Sequence, residues 1–308
     1  MGCAARARAV TMGHMPWFLS DSLPEYSATV DGLLSRRPAQ HTILLGAIEA
    51  LRASGTTSFG AVAPLFGWWQ EPDGEVSAAF LHTPPFGVAL TSVPPPAAAA
   101  LAEALAARRR TANGVNADPP GAEAFARAWH ERTGDAIELH MRNRLYQLGE
   151  LRWPDPRPPG RARLAGPADR GLLIAWTEAF HREAQSGPGD GESMVDERLS
   201  YRGLTLWEDA GQPVSMAGLT RPAAGQVRVG PVYTPPGLRG KGYAGAVTCV
   251  VSQAARDAGA SRVLLFTDLG NPTSNALYQR LGYEPVEDRV IWSFHRSPAG
   301  DTSGRAGS

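Results

Sequence analysis

The sequence predicts an α+β protein in two units, each a sheet flanked by helices. Runs of successive strands joined by short Gly/Pro turns alternate with stretches that are apolar at helical spacing. A length of 308 residues corresponds to about two domains of ~150 residues. The segment Trp153-Pro154-Asp155-Pro156-Arg157-Pro158-Pro159-Gly160 divides the chain, because proline removes backbone donors from helix or sheet. The resulting layout is a tail over 1–15, a domain over 16–151, a linker over 152–160, a second domain over 161–296 and a tail over 297–308. Both tails read as disordered.

The first unit begins with helical patterns over Asp21–Arg37 and His41–Ala53, the second lined by Ile43, Leu44, Ala47, Ile48 and Leu51 and closed by Gly55. Strands follow at Phe59–Trp69, Val76–His82 and Gly87–Val93, the first two joined by the turn Glu71-Pro72-Asp73-Gly74. Pro94-Pro95-Pro96 is a stop before an alanine-rich helix over Ala97–Arg110. Gly114–Asn116 is a short strand and Ala122–Thr133 a helix, with Phe125 and Trp129 four residues apart on one face. Ile137–Leu148 alternates poorly and reads as strand only at its end.

The second unit opens with a strand at Arg161–Ala165 and a helix over Asp169–Glu183 whose stripe is Leu172, Leu173, Trp176 and Phe180. A Gly/Pro loop over Gln185–Gly191 leads to a short helix, Glu192–Tyr201. Leu204–Glu208, Pro213–Thr220 and Gln226–Thr234 are three successive strands with turns between them. Gly242–Ala258 is a helix ended by Gly259, and Arg262–Thr267 has the apolar centre of a covered parallel strand. Asn271-Pro272 fits an N-cap followed by proline in the first turn of a helix running to Leu281, and Val290–Phe294 is the last strand.

Composition narrows the function classes. Hydrophobic residues are 43% and charged residues 19% of the chain, which suits a large core. The formal net charge of +0 gives no electrostatic basis for binding nucleic acid or an acidic membrane. Cys3 and Cys249 are far apart, so neither a disulfide framework nor a metal site is expected. No apolar run approaches the ~18 residues of a membrane span. No hydrophobic region follows the Ala/Arg-rich start, and Arg6 stands where a myristoylation motif wants Ser or Thr. The expected location is cytoplasmic.

One stretch stands out: Gly230-Pro231-Val232-Tyr233-Thr234-Pro235-Pro236-Gly237-Leu238-Arg239-Gly240-Lys241-Gly242-Tyr243-Ala244. It joins a strand to a helix through glycines, which let backbone amides approach an anion at the positive end of a helix. Lys241 is the only lysine in the chain.

With these motifs in this order, residues from about Arg161 to Arg296 resemble the GNAT superfamily of N-acetyltransferases. Arg239-Gly240-Lys241-Gly242-Tyr243-Ala244 is similar to that family's Arg/Gln-x-x-Gly-x-Gly/Ala signature, and the helix Asn271–Leu281 with Gly282-Tyr283 follows where the family places its Asn…Tyr…Gly-Phe/Tyr element. The resemblance implies a mixed, mostly antiparallel sheet flanked by helices. It implies acetyl-CoA as acyl donor, no metal, and an amine acceptor that is a small molecule or peptide. Val232, Tyr233 and Thr234 would lie along the pantetheine arm, as would Asn271. Amides of Gly240, Lys241, Gly242, Tyr243 and Ala244 would hold the pyrophosphate beside Arg239, and Tyr278 would protonate the departing sulfur. The strand Gln226–Thr234 has no Glu or Asp where the family often carries its base; Glu208 and Asp209 are the nearest alternatives.

The first unit repeats part of this element order, but Ser92-Val93-Pro94-Pro95-Pro96-Ala97 replaces the glycine loop, and proline offers no N–H to phosphate. It resembles the degenerate half of a tandem-domain actinobacterial acetyltransferase, shaping the acceptor site or an interface. The expected function is N-acetyl transfer by a monomer or homodimer; the rival is a non-catalytic acyl-CoA sensor.

Overall fold

The computed structural model describes residues 8–10, 17–55, 60, 62–185 and 191–296. The tail from 297, most of the tail over 1–15, Phe59 and the core of the 185–191 loop lie outside these. Within the first tail, Arg8–Val10 forms β1, paired with β2 (Trp17–Ser20), so that stretch is a strand rather than disordered.

The first half continues with α1 (Leu23–Arg36), α2 (Thr42–Ser54), β3 (Leu65–Gln70), β4 (Val76–His82), β5 (Val88–Leu90), α3 (Pro95–Ala107), β6 (Gly114–Ala117), α4 (Pro119–Thr133) and β7 (Ala136–Leu148). The second has β8 (Arg161–Leu164), α5 (Arg170–Ala184), α6 (Gly191–Ser200), β9 (Leu204–Asp209), β10 (Gln212–Leu219), β11 (Gln226–Tyr233), α7 (Tyr243–Asp257), β12 (Arg262–Asp268), α8 (Pro272–Arg280) and β13 (Tyr283–His295). Local chemistry sets the helix ends. The Ser22 hydroxyl accepts from the Glu25 amide at 3.3 Å, Asp118 caps α4, and Gly134 ends it in the left-handed region. The proline triplet does not stop α3; Pro95 and Pro96 lie in its first turn, where a missing N–H costs nothing.

All strands join one mixed sheet in the order β1-β2-β3-β4-β5-β6-β13-β7-β12-β11-β10-β9-β8. Its pairs are antiparallel except β5–β6 and β11–β12. From β2 to β8 the order is mirrored about the β13–β7 pair, and each half's last strand sits on the far side of that pair. β13 pairs with β6 of the first half, and β7 pairs with β12 of the second. The two strands pair with each other from Tyr283↔Leu148 to His295↔Ala136, and Arg144 grips Asp288 across them at 2.6 and 2.9 Å. Both strands are much longer than their sequences suggest.

Apolar clusters cover both faces of the sheet. α3 and α4 bury Leu101, Phe125 and Trp129 with Trp17 and Phe80, and α1 and α2 bury Tyr26, Leu34 and Leu44 with Phe66. α7 and α8 pack Tyr243, Val247 and Tyr278 on Val227, Val229 and Leu265, and α5 and α6 pack Leu173 and Val195 on Leu206, Met216 and Tyr233. The exchange reaches the cores: Phe294 of β13 stacks on Phe125 and Trp129, and Tyr146 of β7 belongs with α7 and α8. Among the described residues no helix is long and apolar enough to cross a membrane.

Candidate functional site

β11 and β12 pair only at Gln226↔Arg262, Val227↔Val263 and Arg228↔Leu264. Beyond that, β11 stays with β10 as far as Met216↔Tyr233, and β12 stays with β7 as far as Asp268↔Asn143. The two strands therefore part, and their facing edges carry backbone groups with no ladder partner. A bulge marks the parting point: Gly230 and Pro231 lie opposite Gly218 alone, between Leu219↔Val229 and Ala217↔Val232.

The glycine loop lies at the open end of the parted strands. After a 3-10 turn over Pro236–Leu238, Gly240 (φ 77°) and Gly242 (φ 83°) both take left-handed backbone, which glycine adopts without strain. Gly242 is the N-cap of α7 and brings no capping side chain, so the first-turn amides have no intrahelical acceptor. Arg239, Gly240, Lys241 and Gly242 are exposed, while the Tyr243 side chain is buried with its hydroxyl on Asp209. Arg239 braces the loop: its Nε donates to the Thr234 carbonyl at 2.8 Å, and its guanidinium pairs with Glu183 at 2.6 Å. Glu183 also accepts from the Tyr233 hydroxyl at 3.1 Å. The Tyr233 carbonyl takes the Ser215 hydroxyl at 3.1 Å, and Thr234 Oγ1 lies 2.8 Å from the same hydroxyl. These residues fit a pyrophosphate: open amides, a helix N-terminus and the exposed Lys241, on a loop that Arg239 holds in shape.

α8 borders the other side. The Asn271 side chain accepts from the Ser274 amide at 3.0 Å, so it is an N-cap. Asn275 holds the Asp268 and Asn271 carbonyls at 2.8 Å and accepts from the Tyr146 hydroxyl at 2.9 Å; Gln279 also donates to that hydroxyl, at 3.0 Å. Tyr278 is buried in the cluster containing Val229 and Tyr243, edge-on to Tyr283 with centroids 6.0 Å apart. Among the described residues its hydroxyl has no hydrogen-bond partner, and burial pushes its pKa up to about 12.

Sequence reasoning missed Glu183, Ser215 and Tyr146. The last holds α8 from the first half's own strand, and its only signal was the strand-like run Leu145–Leu148. The two carboxylates weighed as bases are both engaged, Glu208 by Arg163 at 2.6 Å and Asp209 by Tyr243. Cys249 is free and buried, and burial raises its thiol pKa to about 12, as fits a core residue. Among the described residues no group of three or more His, Cys, Asp or Glu is placed to hold a metal.

Residues 171–283 match the acetyltransferase (GNAT) family. The match spans the parted strands, the glycine loop and α8. No curated protein matches the chain. Solved structures of GNAT proteins share its fold over almost its whole length. A GCN5-related N-acetyltransferase from Sphaerobacter thermophilus is 19% identical, with 92% of this chain and 97% of that one covered at a TM-score of 0.55. A GCN5-related N-acetyltransferase-like protein from Streptococcus suis is 17% identical over 89% of this chain and 100% of its own, at 0.52. A Drosophila protein solved as a structural-genomics target is 13% identical over 94% and 98%, at 0.61. At these identities the likeness is one of fold.

Proposed function

We propose that the protein is an N-acetyltransferase that moves an acetyl group from acetyl-CoA directly to a primary amine. The observation that carries this reading is the parting of β11 from β12, with an open glycine loop at its mouth and the partnerless Tyr278 hydroxyl beside it. In this reading the edge at Val232, Tyr233 and Thr234 takes the pantetheine arm as an added strand. The amides of Gly240, Lys241, Gly242, Tyr243 and Ala244 hold the pyrophosphate. Arg239 keeps the loop in shape through Thr234 and Glu183, and Asn271 serves chiefly to cap α8.

The amine nitrogen, as the free base, attacks the thioester carbonyl, the C–N bond forms, the C–S bond breaks, and the nitrogen gives up one proton to solvent, from which Tyr278 is reprotonated after the step. Tyr278 gives its proton to the leaving thiolate, and a phenol with a raised pKa stays protonated at neutral pH for this purpose. A backbone N–H at the bulge is suited to the carbonyl oxygen as its charge develops. We further propose that the first half is a copy without a donor site, since Pro94, Pro95 and Pro96 stand at its strand-to-helix junction. Its place in the reaction is to complete the second half's sheet with β7 and to wall the acceptor side. The acceptor is a small molecule or a peptide end, and the location is cytoplasmic.

Acetyl-CoA at 100 times its Kd is expected to stabilise the fold by about 2.7 kcal/mol, read as a rise in melting temperature. Free thiol is expected to appear when an amine acceptor is added. Absence of any thermal shift overturns the reading; a shift without thiol release from any amine leaves a binding protein instead.

A further inference from the structure

Val227 and Val229 pack on α7, so Arg228 between them points to the opposite face of β11, toward α6 and the first half. There its Nη1 donates to the Thr42 carbonyl at 2.6 Å, and an added Cβ on Gly46 of α2 would lie 3.2 Å from it. Arg198 of α6 reaches the same stretch of β11, and its Nη1 donates to the carbonyl of Gly230 in the bulge. Arg198 is 9% exposed. Burial lowers the tendency of both guanidinium groups to hold a proton, and the Arg198 charge lowers that of Arg228 further, to about 10.

Neither has a carboxylate within hydrogen-bonding distance among the described residues. Glu197, whose charge favours the Arg198 cation, is bonded to Arg221 at 3.2 Å, and Tyr201, which gives its proton to the Leu219 carbonyl at 2.9 Å, also hydrogen-bonds Arg198. Glu183 is held by Arg239. A structural arginine in this protein looks different. Arg289 is 3% exposed and meets Glu287 at 3.2 Å and Asn116 Oδ1, Asn116 O and Leu90 O at 2.8 Å each. Two cations over one stretch of β11, one buried and one half-buried, with no carboxylate hydrogen-bonded to either, are costly, and neutral donors would tie α6 and α2 to β11 as well. Arg228 is only half-buried, and its contacts with Thr42 use Nη1 alone of the five-donor guanidinium fork.

We propose that Arg198 and Arg228 receive the carboxylate of the acceptor, so that the acceptor is an amine carrying a carboxylate, of the amino-acid type. The assignment rests on the acyl-transfer reading, because it places this anion site at the bulge where the thioester would lie. The carboxylate docks against the two forks, and the neighbouring amine is held toward the parted strands. Nitrogen then takes the acetyl group, and sulfur leaves with the Tyr278 proton.

The test compares thiol release from acetyl-CoA with glycine, alanine, phenylalanine and glutamate, each against its carboxamide, with ethanolamine phosphate as a separate arm. An amino acid is expected to exceed its carboxamide in kcat/KM by about 30-fold or more, the effect of losing charged hydrogen bonds. Arg228→Gln is expected to bring that ratio within about 3-fold through KM, and Arg228→Lys to recover part of it. Arg228 also joins the halves, so Arg198→Gln is the second variant should Arg228→Gln fail to fold. Equal use of acid and amide, a preference for ethanolamine phosphate, or a thermal shift with acetyl-CoA but no acylated amino acid overturns the proposal while leaving donor binding intact. No shift and no thiol from any amine instead removes the acyl-transfer reading beneath it.

Discussion

Tyr278 combines two properties: burial of its side chain, which keeps the proton on, and a hydroxyl with no hydrogen-bond partner among the described residues. Tyr278→Phe is expected to lower thiol release by ~10² to 10⁴-fold, the range for a positioned acid, while the acetyl-CoA thermal shift persists. An unchanged rate removes Tyr278 from the chemistry. Gly242 is the other residue with little choice. Its φ of 83° is unfavourable for any residue with a Cβ, although the nearest atoms such a Cβ would meet, in the Pro158 ring, are at 3.7 Å. Gly242→Ala should therefore cost about 1–2 kcal/mol from backbone conformation alone, measured by urea denaturation. At this scale the sequence was legible where spacing and residue type coincide, as in Asn271-Pro272 and the glycine loop. Arg198 and Arg228 gave no such signal. An arginine in a helix and another in a strand look solvent-facing until the fold shows Arg198 on the Gly230 carbonyl and Arg228 on that of Thr42.

Between α8 and β13 the chain passes close to the end of the first half at Gly282. Gly282 has φ 93°, and an added Cβ would lie 1.8 Å from the Glu150 carbonyl oxygen. Here the end of the second half presses on the chain leaving the first, with the Gly149 amide on the Gly282 carbonyl at 2.9 Å and the Arg152 amide on Leu281 at 3.0 Å. Gly282→Ala is expected to destabilise the protein by about 3 kcal/mol, seen as a lower urea midpoint; a change within ~0.5 kcal/mol would contradict this packing. Most helices and the central strands of both halves were readable from apolar period and caps. β2, with only four residues, was too short to carry a period. β7 and β13 were underestimated because their length comes from pairing with each other, over 130 residues apart in sequence, and local pattern holds no record of a distant partner.

For the molecule as a whole, the exchange of β7 and β13 makes the halves mechanically dependent. Chains 1–155 and 156–308, produced together, are expected to co-purify as one complex. Produced singly, each lacks the strand that completes its sheet and is expected to aggregate through that edge; recovery of either as a soluble folded monomer refutes the dependence. Stability should also fall in alkali. Burial raises Tyr278 and Tyr201 to about 12, and it pushes Tyr26 and Tyr283 higher still. Unfolded tyrosines ionise near 10. Above that pH the unfolded chain binds fewer protons than the native one, so stability present below pH ~10 is lost progressively as pH rises toward and past 12. Urea midpoints measured from pH 8 to 11.5 should be level at first and then decline.

The place of β13 also sets a schedule for synthesis. β6 leaves the ribosome early, yet the strand that covers its outer edge is Tyr283–His295, more than 160 residues later. At 5–20 residues per second, roughly ten seconds or more pass with that edge unpaired. During this interval the first half is a nascent sheet with an open side, and β7 is a strand waiting for β12. The finished molecule closes both at once, so the vulnerable period belongs to translation and ends when the final strand is threaded between the halves.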